Sequence, residues 1–250
     1  MPKKKNGHIV RGLNIADDNS SFGYVEAYKA LRTNIQYLMK DTGKGKVLLV
    51  TSAIPGEGKS NVAVNLANTF ARDDKRVILI DGDLRKGTLH RYLNVPALSP
   101  GLSAVLNREI GLSSVIIRIQ QYGFDFIPVG ALPSNPSELA GSTTMSNLLS
   151  VLTDTYDYVI MDSAPVNSVA DTTIMCRFVD GVILVVSHND VTRNTVLAAK
   201  QQLDNVNANI LGVVLNKYDA RNTGSRDANY YSYYNYDSYD DYGYGENDRN

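Results

Sequence analysis

Residues 53–60, which read AIPGEGKS, have the glycine and lysine spacing of a loop that binds phosphate. Gly56 and Gly58 let the backbone curl so that successive N–H groups face one oxyanion. Lys59 is placed to reach the β- and γ-phosphates of a nucleoside triphosphate, and Ser60 to bind the accompanying magnesium ion. The spacing therefore predicts a nucleoside triphosphate site.

The segments that flank this loop support the same prediction, with one departure from the usual pattern. An apolar run at 47–50 precedes the loop and a helical pattern at 61–72 follows it, which places phosphate at the positive end of a helix dipole. Ala53 stands where the first glycine of G-x-x-x-x-G-K-[ST] is usual, and alanine costs little there unless its φ is positive. We also expect Glu57 and Asn61 to belong to the nucleotide site.

The elements that must position this loop are visible as apolar runs with the length of buried strands. The runs lie at 47–50, 77–80, 124–128, 158–161, 182–186 and 210–215. Helical patterns separate most of them, at 61–72, 144–153, 168–178 and 192–205. This alternation predicts an α/β fold in which a mainly parallel sheet is covered by helices on both faces and binds ligands at the carboxyl ends of its strands.

Carboxylates follow two of these predicted strands. The second run leads into Asp81, Asp83 and Arg85, which we expect beside the phosphate loop, and the fourth run ends in Asp162. Magnesium prefers octahedral oxygen ligands and keeps several waters, so Ser60, Asp83 and Asp162 are the expected metal residues, together with phosphate oxygens. Asp81 is then left over, and a carboxylate beside a γ-phosphate can accept a proton from an incoming hydroxyl or orient it. For one of Asp81 and Asp83, the alternative is a structural role as the cap of the following helix.

Composition limits the classes of protein to consider. With 250 residues, of which 43% are hydrophobic, the chain can bury one sizeable core without dividing in two. Its 25 basic and 26 acidic residues create no overall field that would recruit nucleic acid. The single cysteine, Cys176, excludes an internal disulfide and is expected to be a small buried residue. The apolar runs are shorter than the roughly 18 residues of a membrane span, which predicts a cytosolic protein unless a partner tethers it.

An amphipathic helix is predicted at residues 23–40, after an N-terminal arm at 1–22. Apolar side chains at three- and four-residue spacing mark one side of it, and Glu26, Lys29 and Arg32 line another. On the residues alone, the charged stripe is explained by a solvated face with i,i+3 ion pairs worth a few tenths of a kcal/mol.

The composition changes abruptly at residue 225. The last 26 residues hold eight of the sixteen tyrosines and no aliphatic residue larger than Ala228, so we predict that they build no core and are disordered. A sticky low-complexity tail is one interpretation, whereas stacking on single-stranded nucleic acid is disfavoured because acidic residues outnumber basic ones there. The phenols of this tail belong to Tyr230, Tyr231, Tyr233, Tyr234, Tyr236, Tyr239, Tyr242 and Tyr244.

Three segments together resemble a known family. AIPGEGKS at 53–60, VILIDGDLR at 77–85 and VIMDSAP at 159–165 look like the Walker A, A′ and B motifs of the bacterial tyrosine kinases of capsule and exopolysaccharide operons. GLSAVL at 101–106, LPSNPSEL at 132–139 and the terminal tyrosines resemble that family as well. The likeness covers essentially the whole chain, although Walker B ends in Ser-Ala-Pro where Thr-Pro-Pro is expected.

This resemblance implies a P-loop kinase domain, here residues 23–224, that uses ATP and Mg²⁺ to phosphorylate its own terminal tyrosines and other proteins. The catalytic residues would be Lys59, Asp81 and Asp83. The ATP-binding residues would be Gly56, Glu57, Gly58, Lys59, Ser60, Asn61 and Asn216. The metal would be held by Ser60, Asp83 and Asp162.

The resemblance also implies partners. In the family a Glu-x-x-Arg-x-x-Arg helix mediates ring-like self-assembly, and this chain offers Glu26, Lys29 and Arg32, of which Lys29 departs from the pattern. Lysine keeps the charge but loses bidentate geometry, so a homo-oligomer would be weaker or differently paired. A separate membrane activator would dock through its cytoplasmic tail and hold the chain at the inner face of the cell membrane. A cognate tyrosine phosphatase is also implied, and nucleic acid is not.

Two other functions stay open. A deviant-Walker partition or positioning ATPase would switch with nucleotide and phosphorylate nothing, but the second lysine of its phosphate loop is absent from residues 52–55. A GTPase would explain residues 216–219, which match the Asn-Lys-x-Asp guanine signature. Against the GTPase, Asp162 is followed by Ser-Ala-Pro and not by the x-x-Gly that a γ-phosphate-sensing switch needs.

Overall fold

The computed structural model describes residues 13–39 and 43–218 of the chain. Its strands are β1 (Lys46–Ser52), β2 (Val77–Asp81), β3 (Ile117–Ile119), β4 (Phe124–Ile127), β5 (Tyr158–Asp162), β6 (Gly181–Ser187) and β7 (Ile210–Asn216). Its α-helices are α1 (Phe22–Leu38), α2 (Lys59–Ala71), α3 (Leu89–Tyr92), α4 (Leu102–Leu106), α5 (Pro136–Ala140), α6 (Thr143–Thr155), α7 (Asp171–Met175) and α8 (Arg193–Asn205). The tyrosine-rich segment at 225–250 lies outside the described residues.

The strands form one sheet in the order β3-β4-β2-β5-β1-β6-β7. Neighbouring strands run parallel, except that β3 and β4 are antiparallel. The six strands predicted from apolar runs are confirmed, and so is the mainly parallel sheet. β3 gives no signal in the sequence because three residues are too few to show a pattern.

Helices cover both faces of the sheet, which explains why its central strands read as continuous apolar runs. Side chains of β1 alternate between two cores. Val47 and Leu49 lie in the core that includes α6 and α8, whereas Leu48 and Val50 lie in the core that includes α1 and α2. Every residue of β1 and β2 is buried, so these strands hold their carboxyl ends firmly in place.

The prediction that all six strands are buried on both faces is wrong for β7. Val213 and Leu215 of this strand are 59% and 43% exposed. The reason is position, because β7 is the edge strand and pairs only with β6 among the described residues. An apolar run alone does not distinguish such an edge strand from a central one.

The helices predicted within the body of the chain are confirmed, with shifted ends. α6 begins after Ser142, whose Oγ accepts the N–H of Met145 at 3.1 Å. The helix predicted at 168–178 is shorter than expected, since α7 gives way to a 3₁₀ turn at Cys176–Phe178. Cys176 is buried, as expected. No helix in the described ranges is both long and apolar enough to cross a bilayer.

The residues ahead of α1 pack onto α2. Ala16 is buried, and its N–H donates to Asn65 Oδ1 at 2.6 Å while its carbonyl accepts from Asn68 Nδ2 at 2.7 Å. Both asparagines lie on the helix that follows the phosphate loop. The described part of the N-terminal arm is therefore bound to the same folded body.

The charged residues of α1 divide into two groups. Lys29 Nζ lies 2.7 Å from Glu26 Oε1, which forms the i,i+3 surface pair expected from the sequence. Arg32 faces inward, where its Nη1 donates to the Thr69 carbonyl at 3.2 Å and lies 3.2 Å from the Asp73 carboxylate. The Arg32 side chain is 18% exposed, so it joins α1 to α2 within one chain.

Arg32→Ala is expected to destabilise the isolated subunit. The change removes a charged donor from a partly buried carbonyl, which should lower the free energy of unfolding by about 1.5–3 kcal/mol. Lys29→Ala is the matched control, because an exposed ion pair contributes less than about 1 kcal/mol. Denaturant unfolding of both variants, under conditions where the protein is monomeric, measures the difference. Equal stabilities would show that Arg32 does not hold α1 in place.

Candidate functional site

The phosphate loop joins β1 to α2 at the carboxyl edge of the sheet. Gly56 and Gly58 have φ angles of 90° and 95°, a region that favours glycine. Gly58 is also packed against Asn216, whose side-chain amide would collide with an added Cβ. Ala53 is fully buried and is not among the residues with positive φ, so its replacement of the usual glycine introduces no backbone strain.

Lys59 and Ser60 begin α2 and meet the carboxylates at the ends of β5 and β2. Ser60 Oγ donates to Asp162 Oδ2 at 2.6 Å. Lys59 Nζ lies 3.4 Å from Asp162 Oδ1, 4.0 Å from Asp83 Oδ2 and 3.1 Å from Ser60 Oγ. β5 lies between β1 and β2, and its register with β2 pairs Asp162 with Asp81. The sheet thus brings these predicted site residues together.

The electrostatics of this cluster follow from its burial. Burial alone would lower the pKa of Lys59, but the carboxylates of Asp162, Asp83 and Asp81 outweigh it and raise that pKa. Burial is also the main reason that the pKa of Asp162 is raised, against the opposing effects of Lys59 and Ser60. Three carboxylates therefore share one ammonium group, and such a cluster suits a cation.

Asp81 is completely buried at the end of β2. Its Oδ2 accepts the N–H of Leu89, the first residue of α3, at 3.0 Å, whereas its Oδ1 has no hydrogen-bond partner in the described part of the chain. Burial, reinforced by the nearby Asp162, raises the pKa of Asp81 to about 8. The structural role considered from the sequence is visible, because Oδ2 binds the first residue of the next helix, while Oδ1 is left uncommitted.

Asp83 divides its oxygens in a similar way. Its Oδ1 accepts the N–H groups of Arg85 at 3.2 Å and of Lys86 at 2.9 Å, and its Oδ2 is the atom that approaches Lys59. Arg85 is expected beside the phosphate loop, but the hydrogen bonds of its side chain are to Asp171 and Ser137. The shortest of them joins its guanidinium to Asp171 at 2.7 Å, a partner that nothing in the sequence indicates.

The Glu57 side chain, expected in the nucleotide site, is buried and points into the protein. Its Oε2 accepts the N–H of Ile54 at 2.8 Å, and its Oε1 accepts the N–H of Ser187, at the end of β6, at 3.2 Å. The Glu57 carboxylate thus ties the phosphate loop to the end of β6. The sequence does not reveal this role because it depends on where β6 ends in space.

Asn61, also expected in the nucleotide site, turns toward α1. Its Nδ2 lies 3.1 Å from the Tyr24 hydroxyl and 3.4 Å from the Tyr28 hydroxyl. Its Oδ1 is buried without a partner in the described residues. The side chain therefore connects the helix of the phosphate loop to α1.

Asn216 lies at the end of β7 and reaches the phosphate loop, where its Nδ2 donates to the Glu57 carbonyl at 2.8 Å. The structure thus places it at the rim of the predicted site. The next residue, Lys217, pairs with Asp190 at 2.7 Å. Asp219, which completes the Asn-Lys-x-Asp segment, lies outside the described residues.

The residues at this edge fit a triphosphate with magnesium. A Cβ added at Gly56 would meet nothing within 4 Å, so the loop is open to a ligand, and Asp81 Oδ1 is a buried acceptor without a donor. Across residues 13–39 and 43–218, no group of three or more His, Cys, Asp and Glu side chains is arranged to hold a metal by itself. A magnesium ion at this edge would therefore need phosphate and water for the ligands that the side chains do not supply, as is usual in phosphoryl-transfer sites.

Comparisons with known proteins agree with this geometry. Residues 45–211 match the AAA domain family. The tyrosine-protein kinase YwqD of Bacillus subtilis (strain 168) is 36% identical over 191 residues, which are 76% of this chain and 80% of YwqD. EpsB of Ralstonia solanacearum is 37% identical over 249 residues, which cover all of this chain but 32% of EpsB, so the chain spans about a third of that relative.

The fold leads to the same family. The kinase domain of the Escherichia coli tyrosine kinase ETK matches with a TM-score of 0.73 and 36% sequence identity, over 78% of this chain and 77% of that domain. The mainly parallel sheet and its phosphate loop are therefore a P-loop NTPase fold, as the motifs predict. On these grounds the chain belongs to the family of bacterial tyrosine-protein kinases.

Proposed function

We propose that this chain is an ATP-dependent protein-tyrosine kinase that phosphorylates its own terminal tyrosines and regulates capsular or exopolysaccharide synthesis and export. The observation that carries the proposal is the meeting of Lys59, Ser60, Asp83 and Asp162 at one edge of the sheet, with an uncommitted oxygen of Asp81 buried beside them. Membership of the tyrosine-kinase family supports the choice of acceptor.

The contacts of each residue suggest its role. The backbone N–H groups of the phosphate loop bind the triphosphate, and Lys59 places positive charge against the transferring phosphoryl group. Ser60, Asp83 and Asp162 would hold magnesium, which would neutralise charge on the phosphate groups when bound. In its deprotonated form, Asp81 accepts the proton of the tyrosine hydroxyl, because one of its oxygens has no other partner.

The attachment point of the terminal segment favours that segment as a substrate. β7 ends at Asn216, which contacts the phosphate loop. Tyr230 follows 14 residues later, a length of chain that reaches at most about 50 Å. This length allows transfer within one chain or between neighbouring subunits, and we propose the second.

Assembly and membrane attachment are further parts of the proposal. Glu26 and Lys29 form a surface pair on α1 and are accessible to another subunit of a ring-like homo-oligomer, whereas Arg32 is held within its own subunit. A membrane activator docks through its cytoplasmic tail and keeps this cytoplasmic chain at the inner face of the cell membrane. A cognate tyrosine phosphatase reverses the reaction, and other proteins serve as additional substrates.

Transfer of radiolabelled phosphate from ATP tests the proposal. With Mg²⁺ and the cytoplasmic tail of the activator, the wild type should acquire label as phosphotyrosine, and a variant with all eight terminal tyrosines changed to phenylalanine should lose nearly all of it. Phenylalanine removes only the hydroxyl groups, so both proteins should bind nucleotide equally. Undiminished label in the phenylalanine variant would contradict the terminal segment as substrate.

A partition or positioning ATPase that switches with nucleotide and has no kinase activity is one alternative, and a GTPase, which the Asn-Lys-x-Asp segment favours, is another. In the structure, however, Lys217 is held by Asp190 at 2.7 Å. Displacement of bound, labelled ATP by unlabelled ATP or by unlabelled GTP shows whether the site prefers adenine or guanine. We expect ATP to compete more strongly.

A further inference from the structure

A polar network that the proposed chemistry does not use lies next to the loop that carries Asp83. Arg85 Nε and Nη2 donate to Asp171 Oδ2 and Oδ1 at 2.7 and 3.0 Å, a bidentate pair. Ser137 Oγ accepts from Arg85 Nη2 at 3.0 Å and donates to Asp171 Oδ1 at 2.6 Å. We refer to Arg85, Ser137 and Asp171 as the Arg85 network.

The members of the Arg85 network come from three separate segments. Arg85 follows β2, Ser137 lies on α5 in the LPSNPSEL motif, and Asp171 begins α7. The α7 segment continues from β5, the strand that ends in Asp162. The network therefore joins the loop that carries Asp83 to the segment that follows Asp162. It also gives the LPSNPSEL motif a structural role, through Ser137.

Asp171 is a firm anchor for this network. Its side chain is 2% exposed, and burial alone would raise its pKa, but the hydrogen bonds from Arg85 and Ser137 outweigh burial and keep the pKa below its usual value. Asp171 is thus charged at neutral pH. A charged, bidentate partner fixes the plane of a guanidinium group as well as its position.

The backbone of Arg85 connects this anchor to the site. The N–H groups of Arg85 and Lys86 both donate to Asp83 Oδ1. These bonds leave Asp83 Oδ2 directed toward Lys59 Nζ, 4.0 Å away. Because the Arg85 side chain is held at one end and its N–H holds Asp83 at the other, the orientation of the Asp83 carboxylate depends on the network.

We infer that Arg85 is a positioning residue for the magnesium site, clamped by Asp171 and Ser137 so that Asp83 keeps one oxygen turned toward Lys59. The inference rests on the nucleotide and magnesium site of the proposed function. It does not depend on tyrosine being the phosphate acceptor.

The magnesium dependence of nucleotide binding tests this inference. A fluorescent ATP analogue is titrated onto the full chain at a series of Mg²⁺ concentrations and in EDTA. Arg85→Gln should raise the Mg²⁺ concentration for half-maximal binding about 10-fold, as is typical when a residue that orients a metal ligand is lost, and should leave the affinity in EDTA unchanged. Arg85→Lys should also raise this Mg²⁺ concentration above that of the wild type, because lysine lacks the bidentate geometry. Ser137→Ala should shift it in the same direction by less.

Arg76→Gln is the matched control. Arg76 immediately precedes β2 and pairs with Asp157 through Nη2 at 2.7 Å and Nε at 3.4 Å, at the opposite end of the same strand. Its loss should not affect the magnesium dependence. Arg85→Gln alone leaves the buried Asp171 carboxylate without its charged partner. The double variant Arg85→Gln/Asp171→Asn is therefore measured as well, together with its melting temperature, and the same magnesium shift is expected.

Two results would overturn the inference. In one, the Arg85 variants match Arg76→Gln at every Mg²⁺ concentration. In the other, they lose affinity equally with metal and in EDTA, which would indicate a purely structural role. A wild-type protein that binds no nucleotide in the same titration would overturn the proposed function itself, so the two failures are distinguishable.

Discussion

Lys59→Met should reduce phosphoryl transfer by about 100- to 1,000-fold, the usual effect of removing one preorganised charge from a transition state. The wild-type ammonium group lies within 4.0 Å of the carboxylates of Asp162 and Asp83, at the first residue of α2. It is therefore held where the terminal phosphate of a nucleotide in this loop must lie. Methionine keeps much of the length of the side chain and removes the charge. ATP consumption and phosphotyrosine formation, measured in the same samples, give the size of the effect.

Lys44→Met is the control for that experiment. Lys44 pairs with Asp154 at 2.9 Å on the surface. Lys44 precedes β1, whereas the phosphate loop follows β1, so the two lie at opposite ends of this strand. The control should keep the wild-type rate. If Lys59→Met consumed ATP as fast as Lys44→Met, the phosphate loop would not be the site of the reaction.

Asp81→Asn should have opposite effects on activity and stability. Loss of a proton acceptor should slow transfer to tyrosine by about 100-fold or more, while nucleotide binding persists. The folded protein, however, holds a proton on Asp81 more tightly than the unfolded chain, since burial raises its pKa from 3.8 to about 8. The contribution of Asp81 to the free energy of unfolding therefore falls as the pH rises from about 4 to about 8. Asparagine has no ionisable group, so the Asp81→Asn variant does not lose this stability at high pH.

Denaturant unfolding of the protein without nucleotide or metal tests the stability effect. Asp81→Asn should equal the wild type near pH 4 and exceed it by on the order of 3 kcal/mol at pH 8. Asp157→Asn is a control in which the opposite effect on stability is expected. A hydrogen bond from Arg76 lowers the pKa of Asp157. The Asp157 carboxylate therefore stabilises the fold at neutral pH, and this stabilisation is lost as the pH falls. An Asp81→Asn protein less stable than the wild type at pH 8 would contradict the raised pKa of Asp81.

The parts of the molecule that the sequence predicts are those encoded locally. The strand before the phosphate loop, the loop itself and the helix after it are contiguous, and the glycines at 56 and 58 have the positive φ that their residue type suggests. Asp81 and Asp162 each follow an apolar run directly. Parallel strands place such residues at one edge of a sheet, so their proximity follows from the strand pattern.

The parts that the sequence does not predict depend on tertiary contacts. Glu57, Asn61 and Arg85 lie within or next to the motifs, yet their side chains point to Ser187, Tyr24 and Asp171, which are distant in sequence. Local spacing carries no information about such partners. The same holds for the exposure of β7, which is set by the strand order and not by its own residues.

Tyrosine phosphorylation by this chain is tested most directly by mass spectrometry of residues 225–250 after the wild-type protein has been incubated with ATP, Mg²⁺ and the cytoplasmic tail of its activator. We expect phosphate on several of the eight tyrosines in the wild type, and unmodified tyrosines in Lys59→Met and Asp81→Asn. If the wild type consumes ATP while all eight tyrosines stay unmodified, the site is that of a nucleotide switch and the kinase assignment is contradicted.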